Sequence, residues 1–210
     1  MFTPVVSHVH VLSLNKDPTE KYQKLIQQAI KKANSIIHKN VHKYLMNIKP
    51  TAPKLTVQLK THKENQPNRP VINNTPAPAY RTAKYINKKL QQLIHLPNEY
   101  NTSNSQEIAT ELTTLQINDK MKVITLDITD MYVNLPIDGI IQTTKFWLNR
   151  NGNNNEQVKQ QTLNIITTLI EENYFQYNDK LYQPTKGIAK GSQLSSTWQK
   201  YTSNILKIYT

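Results

Sequence analysis

The sequence predicts a helix-rich α+β chain in which a small antiparallel sheet packs against several helices. Apolar stripes at helical spacing recur along the chain, short alternating or β-branched runs lie between them, and Pro-, Asn- and Gly-bearing turns separate the two kinds. A length of 210 residues allows one substantial core and a second small one. The chain divides on this reading into an N-terminal extension and helix over 1–50, a central region over 51–120 and a last region over 121–210.

In chain order, His8-Val9-His10-Val11 alternates and suits an edge strand or a disordered arm. Asp17, Pro18 and Glu20 then form a capping-box pattern, and Tyr22, Leu25, Ile26, Ala29, Ile30, Ala33 and Ile37 follow on one helical stripe. That helix is expected to run, with a break, to Leu45 or Met46. His38 and His42 lie one turn apart on it, as on a zinc-binding helix, but without a third ligand; the alternative is a solvated face. Leu55, Val57 and Leu59 alternate with polar residues as in a half-buried strand, and Arg69-Pro70-Val71-Ile72 restarts an extended segment because the residue before proline leaves the helical region. The pair makes a hairpin.

A helix follows Pro76 and Pro78, with Ala79, Ala83, Ile86, Leu90, Leu93 and Ile94 on one side and Arg81, Lys84, Lys88 and Lys89 on the other. Ser103 or Ser105 is expected to cap a shorter helix carrying Ile108, Leu112 and Leu115. The run from Met121 to Ile128 has strand character and is interrupted by Asp127. A carboxylate there either caps the following turn or serves as an oxygen ligand for Mg2+ at the lip of a sheet. Two further helices are expected, one around Ile140, Phe146, Trp147 and Leu148 and one over 156–172. The tyrosine-rich segments either side of Asn178-Asp179 read as a hairpin whose rings serve packing or, less simply, base stacking. The segment 187–196 sets Gly187 and Gly191 four residues apart before a last helix, where backbone amides can approach a phosphate or sugar.

Charge narrows the partners. Lys and Arg number 26 against 14 Asp and Glu, a net +12 that favours a polyanion, nucleic acid first and an anionic membrane surface second. Lys54, Lys60, Lys63, Arg69, Arg81, Lys84, Lys88 and Lys89 crowd one region, as a phosphate-binding face or as solvated flanks. The absence of cysteine excludes a disulfide frame, a thiolate zinc site and a cysteine nucleophile. No apolar run approaches the length of a membrane span and Met1-Phe2-Thr3-Pro4 does not open a signal peptide, so a soluble intracellular protein is expected.

Taken together, Arg69-Pro70-Val71-Ile72, then Asp127-Ile-Thr-Asp-Met-Tyr-Val-Asn-Leu-Pro136, then 187–196 resemble the Arg-Pro-Ile/Val, Phe-Asp-Val-Thr-Ser-Leu-Phe-Thr-Asn-Ile-Pro and Gly-x-Ala-Met-Gly-Ser-Pro-Leu-Ser-Pro motifs of the reverse transcriptases of Penelope-like retroelements. Lys16-Asp17-Pro18-Thr19-Glu20-Lys21-Tyr22-Gln23, Leu59-Lys60-Thr61-His62-Lys63 and Tyr80-Arg81-Thr82-Ala83-Lys84-Tyr85 look like the same family, so the likeness covers about 16–206. It implies a right-hand polymerase fragment, with fingers in 51–120 and part of the palm in 121–210, acting as an RNA-directed DNA polymerase in the nucleus. Asp127 would be the catalytic carboxylate that binds Mg2+ or Mn2+, with the Ile128 carbonyl as a further ligand. Lys63 and Arg69 would hold the triphosphate of a deoxynucleotide. Tyr132 would pack under its sugar, and Gly191 and Ser192 would lie against the nascent pair. Lys60, Arg81, Lys84, Gly187 and Lys190 would touch RNA template and DNA primer.

There are departures. Lys190 stands for the family's Met, Gln193 and Ser196 for its prolines, Tyr132 for Phe, and Asp130 for a small polar residue, which keeps Asp130 out of the catalytic set. Family palms also carry a later Tyr/Phe-x-Asp-Asp turn, and no two aspartates are adjacent anywhere in this sequence. The expectation is a chain that binds nucleic acid and polymerises poorly by itself, or a non-catalytic nucleic-acid-binding remnant of such a domain.

Overall fold

A computed structural model describes residues 11–46, 49–59, 61, 68–96, 104–116, 131–151, 155–188 and 191–209, with the side chains of 133 and 205–209 outside that description. The chain starts with strand β1 (Val11–Leu14), then helices α1 (Thr19–Lys32) and α2 (Lys39–Leu45). The expected capping box does not form: the helix starts at Thr19 with Pro18 in the cap position and no side-chain cap, and Asp17 Oδ1 instead closes a local turn, accepting from the Thr19 amide at 2.8 Å and the Thr19 hydroxyl at 2.5 Å. Glu20 pairs with Lys24 at 2.7 Å on the exposed surface. The expected break follows Lys32. Asn34 and Ser35 favour backbone conformations outside a helix, and Gln161 of a later helix meets both, accepting from the Ser35 amide at 2.8 Å and donating to Asn34 Oδ1 at 2.9 Å. His38 is therefore extended backbone before α2, so His38 and His42 do not share a helical turn.

Strands β2 (Lys54–Leu59) and β3 (Asn68–Asn73) form the expected antiparallel hairpin, with Gln58 opposite Arg69 and Leu55 opposite Ile72. Helix α3 (Tyr80–Leu93) buries Thr82, Ala83, Ile86 and Leu90 and leaves Arg81, Lys84 and Lys88 exposed. Helix α4 (Ser105–Thr114) is capped by Asn104, whose side chain accepts from the Glu107 amide at 2.9 Å; neither serine expected there is the cap. A single turn, α5 (Met131–Asn134), precedes α6 (Ile137–Arg150) and α7 (Glu156–Glu171). Strands β4 (Phe175–Tyr177) and β5 (Lys180–Pro184) turn through Asn178 and Asp179, both at positive φ (47° and 59°), the type I′ geometry that matches strand twist. The last helix is α8 (Ser195–Tyr209).

The sheet corrects one expectation. Its order is β1-β5-β4-β2-β3, and it is mixed: Lys54 of β2 pairs with Gln176 of β4 in parallel, beside antiparallel neighbours. A tight turn can only join antiparallel strands; here β3 and a series of helices intervene between β2 and β4, enough chain to bring β4 back in the direction of β2. The sheet draws strands from all three of the sequence regions named above.

Below the sheet, α1 packs on α7, and α6 packs on α7 and α8. Their apolar faces join α3 in one core containing Ile26, Ile30, Ile86, Leu90, Trp147 and Ile166, all nearly inaccessible to solvent. Each such aliphatic side chain removed from water contributes about 1.5–3 kcal/mol. The indole of Trp147 donates to the Tyr201 carbonyl at 3.1 Å, and the Thr197 hydroxyl donates to Asn87 at 2.5 Å, locking α8 to α6 and α3. On the sheet, Phe175 stacks on Tyr182 with ring centroids 5.7 Å apart and Ile72 beside them. Tyr174 stacks on Tyr22 at 5.2 Å. These buried rings are packing, the simpler of the two readings. The far end of the β2–β3 hairpin departs from the expected half-buried strand: Val57 and Leu59 are exposed, because β4 pairs only at the Lys54 end of β2.

Candidate functional site

The three motif segments can be located only in part. Asp127, Ile128, Lys60, Lys63 and Lys190 lie outside the described residues; Arg69, Arg81, Lys84, Tyr132, Gly187, Gly191 and Ser192 lie within them.

Arg69 is exposed on β3, which is an outer strand of the sheet among the described residues. Strand alternation puts it on the same face as Val71 and opposite that of Ile72, whose side chain enters the sheet core. The glycine loop meets this strand directly. Gly191 has φ +112°, and a Cβ there would lie 2.2 Å from the carbonyl oxygen of Ile72, so only glycine can bring the loop onto β3. The same loop is tied to α5, since the Ile188 amide donates to the Tyr132 carbonyl at 2.9 Å. Segments that carry Arg69, Tyr132 and Gly191 are thus brought together, although they are separated by long stretches of sequence.

The other side chains are individually engaged. The Tyr132 hydroxyl donates to Gln199 Oε1 of α8 at 2.5 Å, which fixes the ring at the surface of the helical core. Gly187 is left-handed (φ +68°), and its carbonyl accepts from the buried Asn173 amide group at 3.0 Å. Ser192 lies three residues before α8, and its carbonyl accepts from the Ser195 amide at 3.2 Å and the Ser195 hydroxyl at 2.8 Å. Arg81 donates to the Tyr44 carbonyl at 3.0 Å and lies 5.3 Å from the centre of the Tyr44 ring, so it joins α3 to α2. Lys84, one turn on, is exposed. Among the described residues no group of three or more His, Asp or Glu side chains could hold a metal ion, so a Mg2+ site at Asp127 and Ile128 rests on the sequence motif.

A residue that the motif reading passed over sits behind the loop. Glu172 ends α7, and both of its carboxylate oxygens are shut off from solvent without a hydrogen bond of ordinary geometry. Burial pushes its pKa up from 4.5 to about 8, and the Ala79 amide at the start of α3 draws it only partway back. The signal in the sequence was slight: a second acid at a helix C-terminus, where the dipole disfavours negative charge. Buried Tyr174 donates to the Thr19 hydroxyl at 2.7 Å, and burial raises its pKa as well.

Compared with models of protein families and with curated proteins, the chain matches none.

Proposed function

We propose that the chain is the fingers-and-palm part of a reverse transcriptase resembling those of Penelope-like retroelements. What supports this most is the convergence of the glycine loop, the Arg69 strand and the Tyr132 turn, through the Gly191 contact with Ile72 and the Ile188 to Tyr132 hydrogen bond. On this reading the exposed Arg69 guanidinium pairs with phosphate oxygens of an incoming deoxynucleotide in a two-pronged, charge-assisted contact. Lys63 joins it from the hairpin. The Tyr132 ring, held by Gln199, forms the floor under the sugar. Gly191 and Ser192 line the loop side, while Lys60, Lys84, Gly187 and Lys190 follow the template and primer. Arg81, already committed to Tyr44, would reach the duplex only at the edge of that contact. Mg2+ at Asp127 and the Ile128 carbonyl would neutralise charge that builds up during nucleotidyl transfer.

The test is binding of a labelled RNA–DNA template–primer followed by Mg2+-dependent binding of a deoxynucleotide. Arg69→Ala is expected to weaken nucleotide binding about tenfold or more, the loss of one charged contact, and Asp127→Ala to remove its Mg2+ dependence. Unchanged Mg2+ dependence in Asp127→Ala defeats the polymerase reading. It would leave the second reading, a nucleic-acid-binding protein without transfer chemistry, which the net charge of +12 favours.

A further inference from the structure

Positive charge is spread unevenly along the chain. Residues 21–98 contain 15 Lys and Arg and a single acid, Glu64, whereas residues 99–210 contain 10 against 11. An imbalance of that kind suits a polyanion bound through the first part. Within it, α2 packs on α3, and neither helix carries an acid. Arg81, Lys84 and Lys88 follow at helical spacing on the outward side of α3 and are all exposed, while Thr82, Ala83, Ile86 and Leu90 turn inward. From the rise of a helix this row is about 10 Å long. Tyr44 joins it from α2. Its side chain is the only aromatic among the large exposed apolar ones of the described residues, with 64% of it accessible. The Arg81 guanidinium lies over the ring, 5.3 Å from its centre, and donates to the Tyr44 carbonyl at 3.0 Å. With so much of the residue in water, the face turned away from Arg81 is open.

We propose that the α2–α3 face is a binding surface for single-stranded nucleic acid, with one base stacked on the open face of Tyr44 and its phosphates along Arg81, Lys84 and Lys88. This rests on the nucleic-acid reading above and not on nucleotidyl transfer. A phenol ring accepts any base, because every base has a π-face. In a duplex those faces are already stacked on one another, so a single strand supplies them at least cost. One Arg81 N–H is spent on the Tyr44 carbonyl, which leaves the others for a phosphate.

The same cations would attract an anionic membrane, but a helix lying in a membrane surface inserts an apolar face. On α2 and α3 the apolar stripes are turned into the core, and Tyr44 is the one large apolar side chain that they leave exposed. That is little to insert and enough to stack one base.

Fluorescence anisotropy with a labelled thymidine dodecamer, set beside an abasic phosphodiester of the same length and charge, tests this. The unaltered chain should bind the dodecamer about tenfold more tightly than the abasic strand, the contribution of one stacked base. Tyr44→Ala should abolish that preference and Tyr44→Phe should keep it, with the salt dependence unchanged in both. Tyr44 is exposed, and its carbonyl still meets Arg81 in either variant, so the fold is preserved. Lys88→Gln should weaken both strands alike and lower the slope of log affinity against log salt by about 0.7. Equal binding of the two strands by the unaltered chain, or a preference that outlasts Tyr44→Ala, overturns the proposal and leaves the nucleic-acid reading standing. Binding of neither strand overturns both. Displacement of the dodecamer by anionic phospholipid vesicles, with Tyr44→Ala weakening vesicle binding as much, assigns the face to a membrane and overturns the proposal as well.

Discussion

Gly191 has no room for a methyl group, because the Ile72 carbonyl oxygen occupies the place where it would go and the backbone is already left-handed. Gly191→Ala is therefore expected to destabilise the fold by at least about 2 kcal/mol or to push the loop off β3, and denaturant unfolding would show which. Glu172 acts through protonation. Its folded pKa of about 8 lies above the ordinary 4.5, so the folded state holds the proton more tightly than the unfolded chain. The cost of ionising it is absent below about pH 5, grows as pH rises, and is complete above about pH 8. Glu172→Gln carries no such cost. It should leave the melting temperature nearly unchanged at pH 5 and raise it at pH 8.5, where the cost removed is on the order of 5 kcal/mol. A melting series across pH checks both ends.

The helices were largely legible from their apolar spacing, since burial of one stripe decides where a helix sits: Ile26 and Ile30, Ile86 and Leu90, and Trp147 with Leu148 are all in the core. The Asn178-Asp179 turn was legible because few residues tolerate two successive positive φ values. Pairing between distant strands was not, for nothing local in 54–59 announces a parallel partner at Gln176. The joining of the Gly191 loop to β3 was foreshadowed only by the scarcity of glycine, and Glu172 was barely signalled because its burial is created by elements distant in sequence, α3 and α8. Helix α4 marks another limit of pattern reading. Its stripe of Ile108 and Leu112, with Leu115 just beyond, is exposed, and the helix buries no residue among those described. Leu112→Glu should accordingly change unfolding free energy by no more than about 0.5 kcal/mol, whereas the same change at Leu90 should unfold the protein.

At the scale of the whole molecule, a net charge of +12 would make affinity for the nucleic-acid partner proposed above a matter of displaced counterions. Lys84 is exposed and has no part in packing, unlike Arg81, which is held by Tyr44. Lys84→Gln should lower the slope of log affinity against log salt by about one and leave stability alone; titrations at several salt concentrations measure it. Among the described residues no helix is long and apolar enough to cross a membrane.

The sheet also has a bearing on how the chain is made. Its inner strands, β4 and β5, come after β1 and the β2–β3 hairpin in the chain, yet those earlier strands flank them on both sides. Early strands must therefore wait, with apolar edges unclosed, until the centrepiece emerges more than a hundred residues later. Such an order favours slow maturation and a call on chaperones during synthesis.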